Sequence, residues 1–221
     1  PEGPGSESVR VVGHQWWWEF EYPEYGFTTA NELVIPVSSE DNKRTIALQL
    51  ESADVIHSFW VPRLAGKTDT VPGNTNHMWL RGDHEATYFG RCAEYCGTQH
   101  TKMLFRVDVV SERDYQHWVA NQEKPAVDDP AFQAGRERFM EMSCANCHTI
   151  RGTRAKGTFG PDLTHLMSRK TLGSAIVENN HATLKAWLHD PNAFKASCYM
   201  PNFRLNDDDL QLITDYLASL E

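Results

Sequence analysis

The chain has 221 residues and a formal net charge of −9 at pH 7, with 30 acidic and 21 basic side chains. This length is sufficient for one or two domains that each bury a hydrophobic core, and we expect two. The acidic excess argues against a nucleic-acid ligand, because the phosphate backbone is bound mainly through clustered Lys and Arg.

Nothing in the sequence predicts a membrane span or a leader. Residues 1–8 lack the basic start and apolar stretch of a signal peptide. No apolar run reaches the length of about 18 residues that a transmembrane helix needs. We therefore expect no membrane-spanning segment within these residues.

Short extended segments separated by turn residues run through residues 9–110, a pattern typical of an all-β sandwich or barrel. In one of them Ile46, Leu48 and Leu50 alternate onto a single face, as a half-buried strand requires. The clearest predicted strands are residues 16–22, 45–50, 77–81 and 103–110. We expect this half to be a β-sandwich.

A polar, proline-flanked connection separates this half from the rest of the chain. Residues 112–122 have the pattern of a short helix, and the connection follows directly. The predicted domains are therefore residues 1–122 and 130–221, with residues 123–129 as the linker.

The second half has the pattern of a small all-α domain. Asp129-Pro130 suits the start of a first helix, and residues 183–189 read as a second. Asn206 or Asp207 can cap a third helix, with acidic residues in its first turn. The apolar stripe of this third helix consists of Leu210, Ile213, Leu217 and Leu220.

The stretch from Cys92 to Met103 offers two thiols, an imidazole, a thioether and a carboxylate. Such soft donors suit copper better than a hard cation, and His57 adds an imidazole upstream. Spacing alone leaves a four-coordinate zinc site of two Cys and two His open. A mononuclear blue-copper site needs only one thiolate, so the alternative is two coppers bridged by both thiolates.

The sequence Cys144-Ala-Asn-Cys147-His148 matches the covalent attachment motif of a c-type haem. Its two thiols would add to the porphyrin vinyl groups, and His148 would ligate the iron. Met200 is the candidate second axial ligand, with Met167 as the rival. A zinc or dithiol redox site is the competing interpretation of the motif.

Residues 130–221 resemble a small class I cytochrome c. The resemblance is carried by Gly135, Phe139, the Gly160-Pro161 step and Met200, besides the haem motif. It implies that the Pro161 carbonyl accepts a hydrogen bond from the His148 ring and so orients this ligand.

Residues 9–122 resemble the CuA domain of cytochrome c oxidase subunit II, with matching segments in the same order at residues 13–18, 54–62, 67–73 and 92–103. The resemblance implies a cupredoxin-like sandwich that holds a dinuclear copper CuA centre. Asp54 matches an acidic position near this centre, and Glu94 would face a magnesium site shared with another subunit. Implied roles are Cys92 and Cys96 as bridging ligands, His57 and His100 as terminal ligands, Met103 as axial ligand, Glu94 as carbonyl ligand, and Trp16 as the surface aromatic where electrons enter.

Together the two resemblances predict the soluble part of subunit II of a caa-type haem-copper oxygen reductase. Electrons would pass from the haem to the copper pair and on to haem a in subunit I of a proton-translocating complex, while this part itself holds no oxygen-reducing site. Expected partners are subunits I and III and an upstream cytochrome or quinol-oxidising complex. The parent would be anchored in the bacterial inner membrane, with both domains on the periplasmic or outer face.

Two other functions remain open at this point. A nitric oxide or nitrous oxide reductase module would also transfer electrons, but the latter needs a large further catalytic domain and usually has an aromatic pair where this chain has Glu94-Tyr95. A copper-storage or metal-sensing module does not explain the haem motif.

Overall fold

The computed structural model describes residues 6–40 and 43–221. It divides the chain into two compact units, one extending to Glu123 and one from Lys124 to Glu221. We call them the strand unit and the helical unit. Among the described residues, no helix combines the length and the apolar character needed to cross a membrane.

The strand unit consists of two five-stranded sheets, with strand orders β3-β2-β1-β5-β8 and β4-β10-β9-β6-β7. The pairs β1–β5 and β4–β10 are parallel, and the other neighbours are antiparallel. The strands are β1 Ser6–His14, β2 Trp17–Tyr22, β3 Phe27–Ala30, β4 Glu32–Pro36, β5 Thr45–Ser52, β6 His57–Trp60, β7 Thr68–Thr70, β8 Asn76–Leu80, β9 Ala86–Cys92 and β10 Leu104–Val110.

Aromatic rings from both sheets meet between them and fix the sandwich. Trp18 of the first sheet makes edge contacts with Phe59 and Phe105 of the second, at centroid distances of 5.6 and 5.5 Å. Phe59 and Phe105 stack on each other at 4.5 Å. Such pairs add to the stabilisation from burying the rings themselves. The predicted inward face of Ile46, Leu48 and Leu50 is confirmed, because all three are buried.

One helix, α1 (Glu112–Gln122), closes the strand unit as predicted. Ser111 caps it, since its side chain accepts a hydrogen bond from the Asp114 N–H. Tyr115 and Val119 are buried in the same hydrophobic core as the strands. The helix therefore ends the sandwich rather than starting the next unit.

The helical unit contains α2 (Gln133–Glu141), α3 (His181–His189), α4 (Pro191–Phe194) and α5 (Asp207–Ala218), with a two-stranded ribbon of β11 (Thr171–Leu172) and β12 (Val177–Glu178). The predicted stripe on α5 is buried, and Asn206 is its cap. The predicted first helix differs at its start: Asp129 caps a 3-10 turn, Pro130–Phe132, and the α-helix begins afterwards.

Two contacts shape the helical unit. Helices α2 and α5 approach so closely that a Cβ on Gly135 would lie 2.2 Å from the Leu212 carbonyl oxygen. The ring nitrogens of His165 lie 2.7 Å from the Glu221 carbonyl oxygen and 3.0 Å from that of Lys124. The first and last residues of the unit therefore meet at one buried side chain.

Candidate metal centres

Three neighbouring strands of the second sheet end at the same place and carry the first candidate ligands there. His57 begins β6, Cys92 ends β9, and Met103 immediately precedes β10. The Cys92 N–H donates to the Met103 carbonyl at 3.0 Å. Sheet pairing therefore brings together residues that lie far apart in the sequence.

The loop between β9 and β10 supplies the remaining candidates. Gly97 has φ of +113°, a backbone conformation that L side chains rarely adopt. A 3-10 turn, His100–Lys102, follows and returns the chain to β10. The turn brings His100 back to the sulfur atom of Cys96.

The side chains form a row of close contacts. His57 Nδ1 lies 3.9 Å from Cys92 Sγ, the two sulfur atoms are 3.8 Å apart, and His100 Nδ1 lies 3.6 Å from Cys96 Sγ. At one end of the sulfur pair the Glu94 carbonyl is 3.1 Å from Cys92 Sγ. At the other end Met103 Sδ is 3.7 Å from Cys96 Sγ.

This arrangement fits two metal ions better than one. In a four-coordinate zinc site the ligand atoms would all lie within about 4 Å of one another. Among the described residues, His57, Cys92 and Cys96 form a group with ligand atoms mutually within 4.8 Å, and His100 is outside it. Each sulfur instead has its own imidazole and one weaker donor, which suits a pair of soft metal ions such as copper.

The electrostatics of the site favour the thiolate form of Cys92 and the protonated form of His57. The hydrogen bond between the Cys92 and Cys96 sulfur atoms, together with that to His57, lowers the pKa of the Cys92 thiol to about 4, although burial opposes this. Burial also disfavours the imidazolium of His57, but the Asp54 carboxylate and Cys92 outweigh it and raise its pKa. Thiolates are the form in which cysteine binds metals.

Asp54 holds His57 from the side opposite the sulfur atoms. His57 Nε2 lies 2.8 Å from Asp54 Oδ1, which keeps the N–H on Nε2 and leaves the Nδ1 lone pair towards Cys92. The Asp54 carboxylate also accepts the backbone N–H groups of Gln15 and Val55, both at 2.6 Å. These bonds and the one from His57 lower the pKa of Asp54 against the effect of its burial.

Trp16 does not lie at the surface, so this part of its predicted role is wrong. Its side chain is only 7% exposed and packs in the hydrophobic core of the strand unit, and its indole N–H donates to the Cys96 carbonyl at 2.9 Å. The Gln15 carboxamide donates to the same carbonyl at 2.7 Å. Gln15 lies in a matching segment of the sequence, but nothing in the sequence marks it as a contact for Cys96.

The haem motif lies in a compact turn after α2. Cys144 begins a 3-10 turn, Cys144–Asn146, and Cys147 follows it. Burial raises the pKa of the Cys144 thiol to about 11. A Cβ on Gly157 would lie 2.4 Å from the Asn146 carbonyl, so the returning chain passes directly over the motif.

His148 is held as the resemblance implies. Its Nδ1 lies 2.8 Å from the Pro161 carbonyl, so that Nδ1 carries the hydrogen and Nε2 offers a lone pair. Burial lowers the pKa of His148, which favours the neutral ring. A Cβ on Gly160 would lie 2.6 Å from this ring, so the absence of a side chain there permits the contact.

Met200 lies between α4 and α5, outside any helix, and contacts the core of the helical unit. The Trp187 indole N–H donates to Met200 Sδ at 3.2 Å. The sequence does not predict this role for Trp187, because its position within α3 gives no indication of a contact with a methionine sulfur. Met167 also contacts this core, and its backbone N–H donates to the Leu220 carbonyl.

Both halves of the chain match known families. Residues 27–110 match the family model of the cytochrome c oxidase subunit II periplasmic domain. Residues 132–221 match the family model of cytochrome c.

Individual relatives match over nearly the whole chain. Cytochrome c oxidase subunit 2 of Alkalihalophilus pseudofirmus is 38% identical over 99% of this chain and 63% of that protein. The Bacillus subtilis protein of the same name is 33% identical over 96% of this chain and 62% of that protein. The chain therefore spans less than two thirds of the length of these relatives.

A solved structure resembles part of the chain. The crystal structure of the periplasmic domain of subunit II of cytochrome oxidase of Bradyrhizobium japonicum has a TM-score of 0.51 and 28% identity, covering 56% of this chain and 96% of that one. With the family matches, this confirms the predicted cupredoxin-like sandwich and the cytochrome c domain that follows it.

Proposed function

We propose that this chain, whose two parts match the family models of the cytochrome c oxidase subunit II periplasmic domain and of cytochrome c, is the electron-transfer portion of a haem-copper oxygen reductase. Electrons pass from a c-type haem to a dinuclear copper centre and on to haem a in subunit I. The observation that carries the proposal is the row His57–Cys92–Cys96–His100 in a chain that also has the haem motif.

Six residues would hold the copper pair, which when bound supplies a one-electron redox couple. Cys92 and Cys96 would hold the pair through their thiolates, and His57 and His100 would bind through Nδ1. Met103 Sδ and the Glu94 carbonyl provide weak outer ligands at opposite ends. His57, Cys92, Cys96 and Met103 are buried, so the protein would hold these donors in a preorganised arrangement.

Four residues would hold the haem. Cys144 and Cys147 provide the two thioether links, and His148 offers Nε2 because the Pro161 carbonyl holds its other nitrogen. We assign the second axial position to Met200 rather than Met167, since the Trp187 N–H already orients the Met200 sulfur. A thioether opposite an imidazole raises the iron reduction potential, which suits an electron carrier.

The surroundings of the copper site suit assembly with further subunits. Val55, Ile56 and Tyr95 are exposed apolar residues beside the candidate ligands in the sequence, and such surfaces often mark interfaces. Glu94 is also exposed, and we assign its carboxylate to a magnesium site shared with subunit I. Subunit III and an upstream cytochrome or quinol-oxidising complex complete the proposed partners. We also propose that the parent protein is anchored in the membrane and that both domains lie on its periplasmic side. The indole of Trp16 remains the proposed point where electrons enter, although its side chain is only 7% exposed.

Metal analysis with spectroscopy tests this proposal. We expect two coppers and one iron per chain, a mixed-valent dinuclear copper signal in the EPR spectrum, and the visible spectrum of a low-spin c-type haem. A single zinc ion in place of copper in a fully loaded native sample would contradict the electron-transfer role.

A further inference from the structure

We propose that Gln15 and Trp16, together with Asp54, are positioning residues that hold the two ends of the copper site at a fixed separation; this inference rests on the proposed function. None of the three is a ligand in the proposed site. They connect His57, at one end of the row of ligands, with Cys96, which contacts His100 at the other end.

Two side chains of adjacent residues donate to one carbonyl oxygen. Gln15 Nε2 lies 2.7 Å and Trp16 Nε1 lies 2.9 Å from the Cys96 oxygen. The Trp16 ring is buried, so water competes little for its bond. We call this pair of bonds the Cys96 brace.

The brace determines the orientation of the peptide that follows Cys96. Gly97 comes next with its φ of +113°, and a Cβ there would lie 3.1 Å both from Gln15 Nε2 and from Trp16 Cζ2. The brace and the turn therefore fit tightly together. Because the Cys96 carbonyl cannot rotate away, the direction of its side chain is restricted as well.

The same segment reaches His57 through a carboxylate. The backbone N–H of Gln15 donates to Asp54 Oδ2 at 2.6 Å, and Asp54 Oδ1 is 2.8 Å from His57 Nε2. Gly13 supports the ring from behind, since a Cβ there would lie 2.7 Å from His57 Cδ2. One short segment thus fixes an imidazole on β6 and a thiol in the loop after β9.

These hydrogen bonds would fix the distance between His57 and Cys96 before any metal binds. If the brace were absent, the loop that carries Cys96 and His100 would be held at its two ends by β9 and β10. Loss of an outer partner of a metal ligand typically lowers metal affinity by about 10-fold to 100-fold. We expect the brace to act mainly by slowing copper release.

The test uses the full chain loaded with copper and haem. Gln15→Glu keeps the size of the side chain but removes its N–H donor, and Trp16→Phe removes the indole N–H. Gln116→Glu on the exposed face of α1 and Trp79→Phe at an exposed site on β8 are the matched controls. The readouts are the rate of copper release to excess chelator and the copper EPR and visible spectra.

We expect the double variant Gln15→Glu/Trp16→Phe to release copper at least about 10-fold faster, with changed copper spectra and an unchanged haem spectrum. The controls should match the wild type. An unchanged rate of copper release together with unchanged copper spectra in the double variant would overturn the proposal that the brace positions Cys96.

A second measurement distinguishes failure of the brace proposal from failure of the proposed electron-transfer function. In the metal-free chain, the brace predicts that iodoacetamide modifies Cys96, identified by peptide mapping, faster in the double variant than in the wild type. Equal rates would contradict the brace even if copper loading fails. Absence of a copper pair from the wild type would overturn the proposed function alone.

Discussion

The two units position their proposed ligands in different ways. In the strand unit, His57, Cys92 and Met103 stand at the ends of three hydrogen-bonded strands. In the helical unit, His148 and the two thiols come from one short motif, and Met200 comes from a segment without regular secondary structure. Hydrogen-bonded strands of the core therefore fix the proposed ligands of the strand unit. In the helical unit, we expect the bound haem itself to order much of the irregular segment around its ligands.

The comparison predicts that cofactor loss has unequal consequences. Cys144→Ser with Cys147→Ser should abolish covalent haem attachment and the cooperative melting of the helical unit, because most of residues 142–180 lies outside helices. The strand unit should keep its copper. Hydrogen exchange resolved by segment, with a haem stain on a denaturing gel, measures both effects.

The reciprocal pair of substitutions is the control for this experiment. Cys92→Ser with Cys96→Ser should remove copper but leave slow exchange in β9 and β10, and haem attachment should be normal. Equal loss of protection in both units would show that their sites depend on their cofactors to the same degree.

A second way to sharpen the comparison is to add one methyl group to each core. In Gly135→Ala the new Cβ meets the backbone oxygen of Leu212 at 2.2 Å, so α2 and α5 must separate. In Gly90→Ala it meets the Phe105 ring, also at 2.2 Å, and a ring can shift. We expect losses of unfolding free energy of about 3 kcal/mol for the first and about 2 kcal/mol for the second.

Denaturant titration followed by unit-specific probes checks these values. Gly66→Ala is the matched control, since nothing lies within 4 Å of a Cβ there and its φ is not positive. It should change stability by less than about 0.5 kcal/mol. A larger loss for Gly90→Ala than for Gly135→Ala would contradict the expectation that a side-chain ring accommodates the new methyl group more easily than a helix backbone does.

The smallest expected effect concerns pH. Arg138 donates to both carboxylate oxygens of Asp209, at 2.6 and 2.7 Å, and thereby joins α2 to α5. These bonds lower the pKa of Asp209 below its ordinary value of 3.8. The resulting stabilisation is complete above that value and is lost as the pH falls through the lower, folded-state pKa.

The melting temperature of the helical unit should therefore fall as the pH is lowered from about 6 to about 3, a range that includes the ordinary Asp pKa of 3.8. Asp209→Asn should reduce this fall. Asp207→Asn, in the same helical turn, is the control and should retain the decrease. Identical pH profiles for the wild type and Asp209→Asn would rule out this contribution.

Much of the fold could be predicted because its signals are local. Alternation identified the inward face of β5, and a capping residue identified the start of α5. The cysteine spacings indicate both candidate metal-binding segments, and the resemblance places Asp54 near the candidate ligand His57, where it lies. The bounds of α2 were less predictable, because Asp129-Pro130 also suits a 3-10 turn.

Contacts between distant residues could not be predicted in this way. The bonds from Gln15 and Trp16 to Cys96 join residues about eighty positions apart, and they exist only once the two sheets face each other. The same limit applies to the parallel pairing of β1 with β5 and to the contact between Trp187 and Met200. The buried position of Trp16 follows from such a contact, and for that reason its predicted surface position was wrong.

The meeting of both ends of the helical unit at His165 has a consequence for modularity. A folding unit whose first and last residues lie together needs only a short connection to join a host protein. The same geometry allows circular permutation, in which a brief linker closes Lys124 to Glu221 and new termini open in an exposed loop. The unit therefore has the geometry of a domain that can be joined to a host protein at a single site.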